Sequence, residues 1–153
     1  MKKIILIGPS ESGKTSFIKA HLTGEFLKEY TRTDKVEVYP FSFEGVSLML
    51  WDCSSSSSIQ DVYYLNADAC IAFFDLTSPI SSKYTKELIN NVKKICPNIP
   101  IILCGNKHDS VNARICPPFV KSFGDIYYDI SVKSRYNIDK PFKTLIKNDF
   151  LKK

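Results

Sequence analysis

Lys3-Ile4-Ile5-Leu6-Ile7-Gly8-Pro9-Ser10-Glu11-Ser12-Gly13-Lys14-Thr15 is the stretch on which the reading of this chain turns. Ile4 to Ile7 form an unbroken apolar run, the pattern of a parallel strand buried on both faces. From Gly8 the sequence fits G-x-x-x-x-G-K-[ST], and beyond Thr15 the apolar residues Phe17, Ile18 and Leu22 recur at helical steps. Strand, glycine loop and helix in this order are the context that such a match requires. Successive backbone N–H groups of the loop make a concave nest, and the following helix adds its positive N-terminal end. Gly8, Ser10, Glu11, Ser12, Gly13, Lys14, Thr15 and Ser16 are therefore the expected phosphate-binding residues. Lys14 reaches terminal phosphates as a point charge, and the Thr15 hydroxyl is a ligand for Mg2+. A chance glycine turn before a helix is the competing explanation, and correct flanks on both sides weigh against it.

The rest of the chain fits one soluble globular domain spanning residues 1–153, since 44% apolar and 24% charged residues can support a core of ordinary size. The net charge of +5 comes from scattered lysines. Lys140, Lys143 and Lys147 fall on one side of a predicted helix and read as a solvated face rather than a nucleic-acid patch. The five cysteines (Cys53, Cys70, Cys96, Cys104, Cys116) show no metal-ligand spacing, and several lie inside apolar runs as core residues of a reducing compartment do. No segment is apolar for long enough to span a bilayer, and Met1-Lys2-Lys3 leads straight into a strand. The chain stops at Phe150-Leu151-Lys152-Lys153 without a cysteine to prenylate. An intracellular protein, neither secreted nor lipid-anchored, is the expectation.

Strands and helices alternate along the chain. Leu27 to Lys35 is polar and reads as a loop across the phosphate end. Val36 to Phe43 alternates like a half-exposed strand, and Pro40, which cannot donate to a ladder, assigns it to an edge. Glu44-Gly45 turns it into the antiparallel run Val46 to Trp51. Asp52-Cys53 and five serines, Ser54 to Ser58, follow; a serine run reads as a flexible connector. A short helix is predicted within Ile59–Asn66, then a buried strand Ala69–Phe74 closed by Asp75. Tyr84, Leu88, Ile89, Val92 and Ile95 form a helical stripe stopped by Pro97. Strands at Ile99–Cys104 and Ile126–Ile130 come next, and Asp139-Lys140-Pro141 opens a last helix with Phe142, Leu145 and Ile146 inward. Such alternation implies a mainly parallel sheet covered on both faces.

A second constellation lies where the strand Ile99–Cys104 ends, at Gly105-Asn106-Lys107-His108-Asp109. The carboxyl ends of strands are where open α/β sheets bind ligands. A carboxylate there accepts two parallel N–H bonds from guanine, which adenine cannot supply. Asparagine serves the base edge and the neighbouring loops, and a lysine stem lies across the ring. The last strand brings Ile130-Ser131-Val132-Lys133 to the same edge.

With these residues in place the chain resembles the Ras-superfamily small GTPases, and within them most closely the Ran group. The nearer likeness lies in His21-Leu22-Thr23-Gly24-Glu25-Phe26, in Asn98 to Lys107, and in Tyr127 to Ser131 continuing to Lys140-Pro141-Phe142. The resemblance implies the P-loop NTPase (small G-protein) fold, an α/β fold with a six-stranded, mainly parallel sheet, one antiparallel edge strand and helices on both faces. It implies a molecular switch that binds GTP and GDP with Mg2+ and hydrolyses GTP. On the family pattern Phe26 packs against guanine, Thr33 is a second Mg2+ ligand that senses the γ-phosphate, and Asp52 holds the metal through water. Asn106 and Asp109 read guanine, Lys107 flanks it, and Ser131, Val132 and Lys133 stand where the family usually has Ser-Ala-Lys. Lys14 would supply transition-state charge. Implied partners are an exchange factor, a GTPase-activating protein and importin-type transport receptors, for a monomer of cytoplasm and nucleus with no nucleic-acid role.

The departures bear on turnover. Asp52-Cys53-Ser54-Ser55-Ser56 stands where the family has Asp-Thr-Ala-Gly-Gln. Ser56 thus replaces the water-positioning glutamine with a side chain too short for that role, and Ser55 replaces a glycine. Ser10 occupies a position where glycine is preferred, and Asp34-Lys35 follows Thr33 where a hydrophobic residue and glycine are usual. Slow or helper-dependent hydrolysis is one expectation; a pseudo-GTPase that engages transport factors without turnover is the alternative. A re-routed serine loop with Gln60 supplying the water contact stays open as well. A P-loop kinase or ATPase fits poorly, because Asn106–Asp109 has no purpose in reading adenine. Ran-group chains continue into a linker, a helix and an acidic tail, whereas this sequence stops at Lys153. Importin-type contacts would fall on the body of the domain.

Overall fold

The structure is a computed structural model that describes residues 1–22, 31–32, 36–53, 60–113, 120 and 126–147. Strand β1 is Lys2–Ile7 and helix α1 is Lys14–His21, with the glycine loop between them. Next come β2 (Thr31–Arg32), β3 (Val36–Phe43) and β4 (Val46–Cys53). Then follow α2 (Gln60–Tyr64), β5 (Ala69–Asp75), α3 (Pro79–Ile95), β6 (Ile101–Asn106), β7 (Ile126–Asp129) and α4 (Lys140–Lys147). The strands form one sheet in the order β2-β3-β4-β1-β5-β6-β7. Strand β1 runs parallel to β4 and β5, and β5, β6 and β7 continue in parallel. This is the small-GTPase phosphate-loop fold.

The six strands expected from the sequence are all present, and a seventh extends the sheet. Thr31–Arg32, assigned from sequence to a loop, pairs antiparallel with Val38 and Glu37. Two residues are too few to show a period-two pattern. Strand β3 is therefore antiparallel to both neighbours, and Pro40 lies beyond the residues that β2 covers. At the hairpin, Glu44 and Gly45 both take positive φ, 47° and 83°. Successive positive φ angles match the twist of two-residue hairpins.

Alternation of side chains across the sheet explains the apolar run of β1. Ile4 and Leu6 join one core with Phe17, Ile18, Phe73, Phe142 and Leu145, beneath α1 and α4. Ile5 and Ile7 join the other with Phe74, Leu88, Ile89, Val92 and Leu103, beneath α3. Ile146, expected inward on α4, is only partly buried against the first core. Cys53, Cys70 and Cys104 are buried free thiols, and burial raises Cys53 to about 12. They are packing residues and not nucleophiles.

Helix α3 corrects part of its expected stripe. Ser78 caps it, its side chain accepting from Ser81 N, with Pro79 in the first turn. Leu88, Ile89 and Val92 face the core, but Tyr84 is 39% exposed and Ile95 is half-buried. In the first turns the inward residues are Ser81, Ser82 and Thr85. The Thr85 hydroxyl oxygen lies 2.8 Å from Phe73 O and 2.9 Å from Ser81 O, so its one proton is shared between two carbonyls. Short side chains let the helix approach the end of β5.

Candidate functional site

The strand ends of β1, β4, β5 and β6 converge on the loop at Gly8–Gly13. Gly8 passes close to β5, where a Cβ would stand 2.7 Å from Phe73 O. Gly13 precedes α1 at φ 101°, and a Cβ there would fall inside the van der Waals shell of Asn106 Nδ2. Only glycine meets both demands. Glu11 also takes the left-handed conformation, φ 65°, without being glycine. That conformation costs about 1 kcal/mol or more and is found most often at functional loops.

Two charged groups lie buried beside this loop. Lys14 turns back on it and donates to Gly8 O (2.5 Å) and Pro9 O (3.3 Å). Desolvation lowers its pKa, and the nearby Asp52 works against that shift. At the end of β4, Asp52 accepts from the Thr15 hydroxyl at 2.5 Å. Desolvation raises the Asp52 pKa, countered by the Thr15 hydrogen bond and by Lys14. Ser12 Oγ is buried without a hydrogen-bond partner among the described residues.

The second constellation docks directly onto the first. Asn106, 4% exposed, donates from Nδ2 to Ser12 O (3.0 Å) and accepts through Oδ1 from Val132 N (3.1 Å). One amide thus ties the phosphate loop, the end of β6 and the loop after β7. Asp109 is exposed and accepts from the buried Ser131 hydroxyl at 2.7 Å. Ser131 Oγ also accepts from Ser134 N, and Ser131 pairs with Tyr136 across a one-residue bridge. Lys107, at φ 70°, sets its ammonium 2.7 Å from Asp75 Oδ2.

Asp75 is a residue that sequence reading treated only as the close of a strand. Partial desolvation would raise its pKa, but hydrogen bonds from Lys107 and Thr77 hold it below the usual carboxylate value. The available signal was register: Asp75 stands opposite Asn106 in the parallel β5–β6 pair, one residue from Lys107.

Gly8 to Thr15, Asp52, Asn106, Lys107, Asp109, Ser131 and Val132 are therefore gathered on one side of the sheet. Ser16 is exposed on the first turn of α1, and Lys133 is exposed on the loop after Ser131. Phe26, Thr33, Ser55 and Ser56 lie outside the described residues, as does the Gln60 side chain. A family comparison matches the Ras family over residues 3–150. The chain belongs to the Ras family. Ras-family domains are small GTP-binding switches, which accounts for a phosphate loop on this edge of the sheet. Relatives of this Ras-family chain generally use Mg2+ with GTP and GDP, and the residues present fit such an ion. The Thr15 hydroxyl and the Asp52 carboxylate supply hard oxygen donors at one point. Among the described residues no group of three or more His, Cys, Asp or Glu forms a cage. An ion that takes most of its ligands from phosphate and water needs none.

Proposed function

We propose that this Ras-family chain binds GTP and GDP with Mg2+, reads guanine through Asp109, and hydrolyses GTP slowly unless a helper protein completes its site. The observation that carries this reading is the Asn106 bridge, which joins a phosphate loop to a base-reading loop through two hydrogen bonds. Asp109 is held at one oxygen by Ser131 yet remains exposed, as a carboxylate that accepts from guanine must be. Thr15 would ligate the metal, with Asp52 and Thr33 completing its surroundings; the ion would neutralise phosphate charge. Lys14 would leave the carbonyls of Gly8 and Pro9 for the phosphates. Phe26 and Lys107 would flank the base, and Ser131, Val132 and Lys133 would line its far side.

Slow turnover follows from the serines. Phosphoryl transfer in this family depends on a positioned water and stabilised charge, and Ser56 is too short to replace glutamine. A side chain at Ser10, where glycine is preferred, would crowd the transition state. The same substitutions favour a second reading, a binding module that holds nucleotide without turnover. The likeness to the Ran group at Asn98–Lys107 and Tyr127–Phe142 supports partners of the transport-receptor kind, together with an exchange factor. One experiment tests both readings: identify the nucleotide that copurifies with the protein, compete it with ATP and GTP, and follow a single turnover. Equal competition by ATP and GTP refutes guanine recognition; strong binding with no phosphate release selects the binding module.

A further inference from the structure

On the side of the sheet away from β2, strand β7 and helix α4 enclose a groove of about 570 Å³ lined by Ile126, Tyr128, Lys140, Lys143, Thr144 and Lys147. Its floor is apolar and built by alternation, since Ile126 and Tyr128 share one face of β7. Its rim is basic and built by helical period, since positions 140, 143, 144 and 147 share one stripe. The Tyr128 hydroxyl is fixed against Thr144 Oγ1 at 2.5 Å, and Lys140 Nζ stands 5.9 Å from the Tyr128 ring. All three lysines are exposed, and among the described residues no carboxylate pairs with any of them. Strand β7 is also the last strand of the sheet, so the groove opens along a sheet margin.

We infer that this groove is a docking site for an extended acidic segment of a partner protein, one that carries an aromatic or aliphatic side chain among its carboxylates. Three positive charges with no carboxylate partner among the described residues, spread over roughly 10 Å of helix, call for a linear array of negative charge. An extended chain covers that distance in about three residues. The apolar floor below the lysine tips calls for a side chain that descends between them. A flat bilayer meets the lysines but not the floor, and a nucleic-acid backbone has no apolar group to place there. This site is separate from the nucleotide loops and does not depend on the reading given to them.

The test uses the full chain and a fluorescein-labelled peptide, Asp-Glu-Phe-Glu-Asp, with Asp-Glu-Gly-Glu-Asp as a control of equal charge. Fluorescence anisotropy at low salt should show saturable binding of the first peptide, weakened by added salt and weaker still for the glycine control. The triple variant Lys140→Ala/Lys143→Ala/Lys147→Ala should lose roughly tenfold in affinity, with Lys143→Glu alone giving a clear part of that loss. Melting temperature and GDP binding, measured on the same variants, should be unchanged, so a failure here is distinct from a failure of the nucleotide reading. Equal binding of both peptides, or unchanged binding by the triple variant, overturns the proposal. Sedimentation with vesicles of phosphatidylcholine and phosphatidylserine in equal parts, with no peptide binding, overturns it in favour of a membrane face.

Discussion

Replacing Gly13 with alanine tests whether the two halves of the site are one unit. The new methyl group would press on Asn106 Nδ2, the atom that donates to Ser12 O. Two costs follow. A non-glycine residue at φ 101° loses about 1–2 kcal/mol in backbone strain. Displacing a buried amide from its carbonyl costs about 1–3 kcal/mol more. Gly13→Ala should therefore destabilise the fold by roughly 2–5 kcal/mol, a large share of an ordinary stability of about 5–15 kcal/mol. The decisive measurement is a double-mutant cycle with Asn106→Ala in urea, followed by the fluorescence of Trp51, the sole tryptophan, which lies on β4 over Lys3. Once the amide is gone, Gly13→Ala retains only its strain, so the cycle should show a coupling of about 1–3 kcal/mol. Additivity within about 0.5 kcal/mol would mean that the loop and Asn106 move independently, and the bridging argument would fall.

Other perturbations probe the remaining parts. Asp109→Asn should shift preference from guanine toward xanthine nucleotides, read by competition for a labelled GDP, because the 2-oxo group of xanthine needs a donor; unchanged selectivity would remove Asp109 from base reading. Ser10→Gly/Ser55→Gly/Ser56→Gln should raise single-turnover hydrolysis with little change in GTP affinity, each tenfold gain corresponding to about 1.4 kcal/mol of barrier. A wild-type rate already at the pace of ordinary relatives would make the serines catalytically silent. His21 gives a pH signature: burial lowers its pKa from the ordinary 6.5, helped by Arg135 and opposed by Ile138 O and Asp139. Below pH 6.5 the unfolded chain therefore binds a proton that the folded chain refuses, so stability should fall as pH drops through that value, and His21→Gln should flatten the slope. The raised pKa of Asp52 acts with the opposite sign, so stability carried by that group rises as pH falls through it.

What could be read from sequence was local or periodic. The phosphate loop is contiguous, its flanking strand and helix announce themselves by apolar pattern, and the Asn-Lys-His-Asp stretch follows directly on a buried run. What escaped was set by contacts across chain distance. Thr31–Arg32 becomes a strand only through Val38 and Glu37. Tyr84 satisfies the helical period yet points outward, because Thr85 must reach Phe73 O on β5. Asp75 meets Lys107 only through the register of β5 on β6. Glu11 shows the reverse limit: nothing in its side-chain type announces a positive φ, which the loop's closure imposes.

The electrostatics of the phosphate loop also suit this region to a charged ligand. Lys14 and Asp52 are both buried, and desolvation pushes each toward its neutral form. Their mutual attraction and the Thr15 hydrogen bond offset only part of that cost. Burying charges without full compensation is unfavourable for a fold. A phosphate chain beside Lys14 and a divalent cation beside Asp52 and Thr15 would supply the missing partners at once. Any ligand that binds only the folded form stabilises it by mass action, about 2.7 kcal/mol at a hundred times its dissociation constant. Buried charges of this kind would tie the stability of the fold to a bound ligand. Asn106 would carry that dependence to the loop after β7, since the amide that fixes Ser12 O also fixes Val132 N.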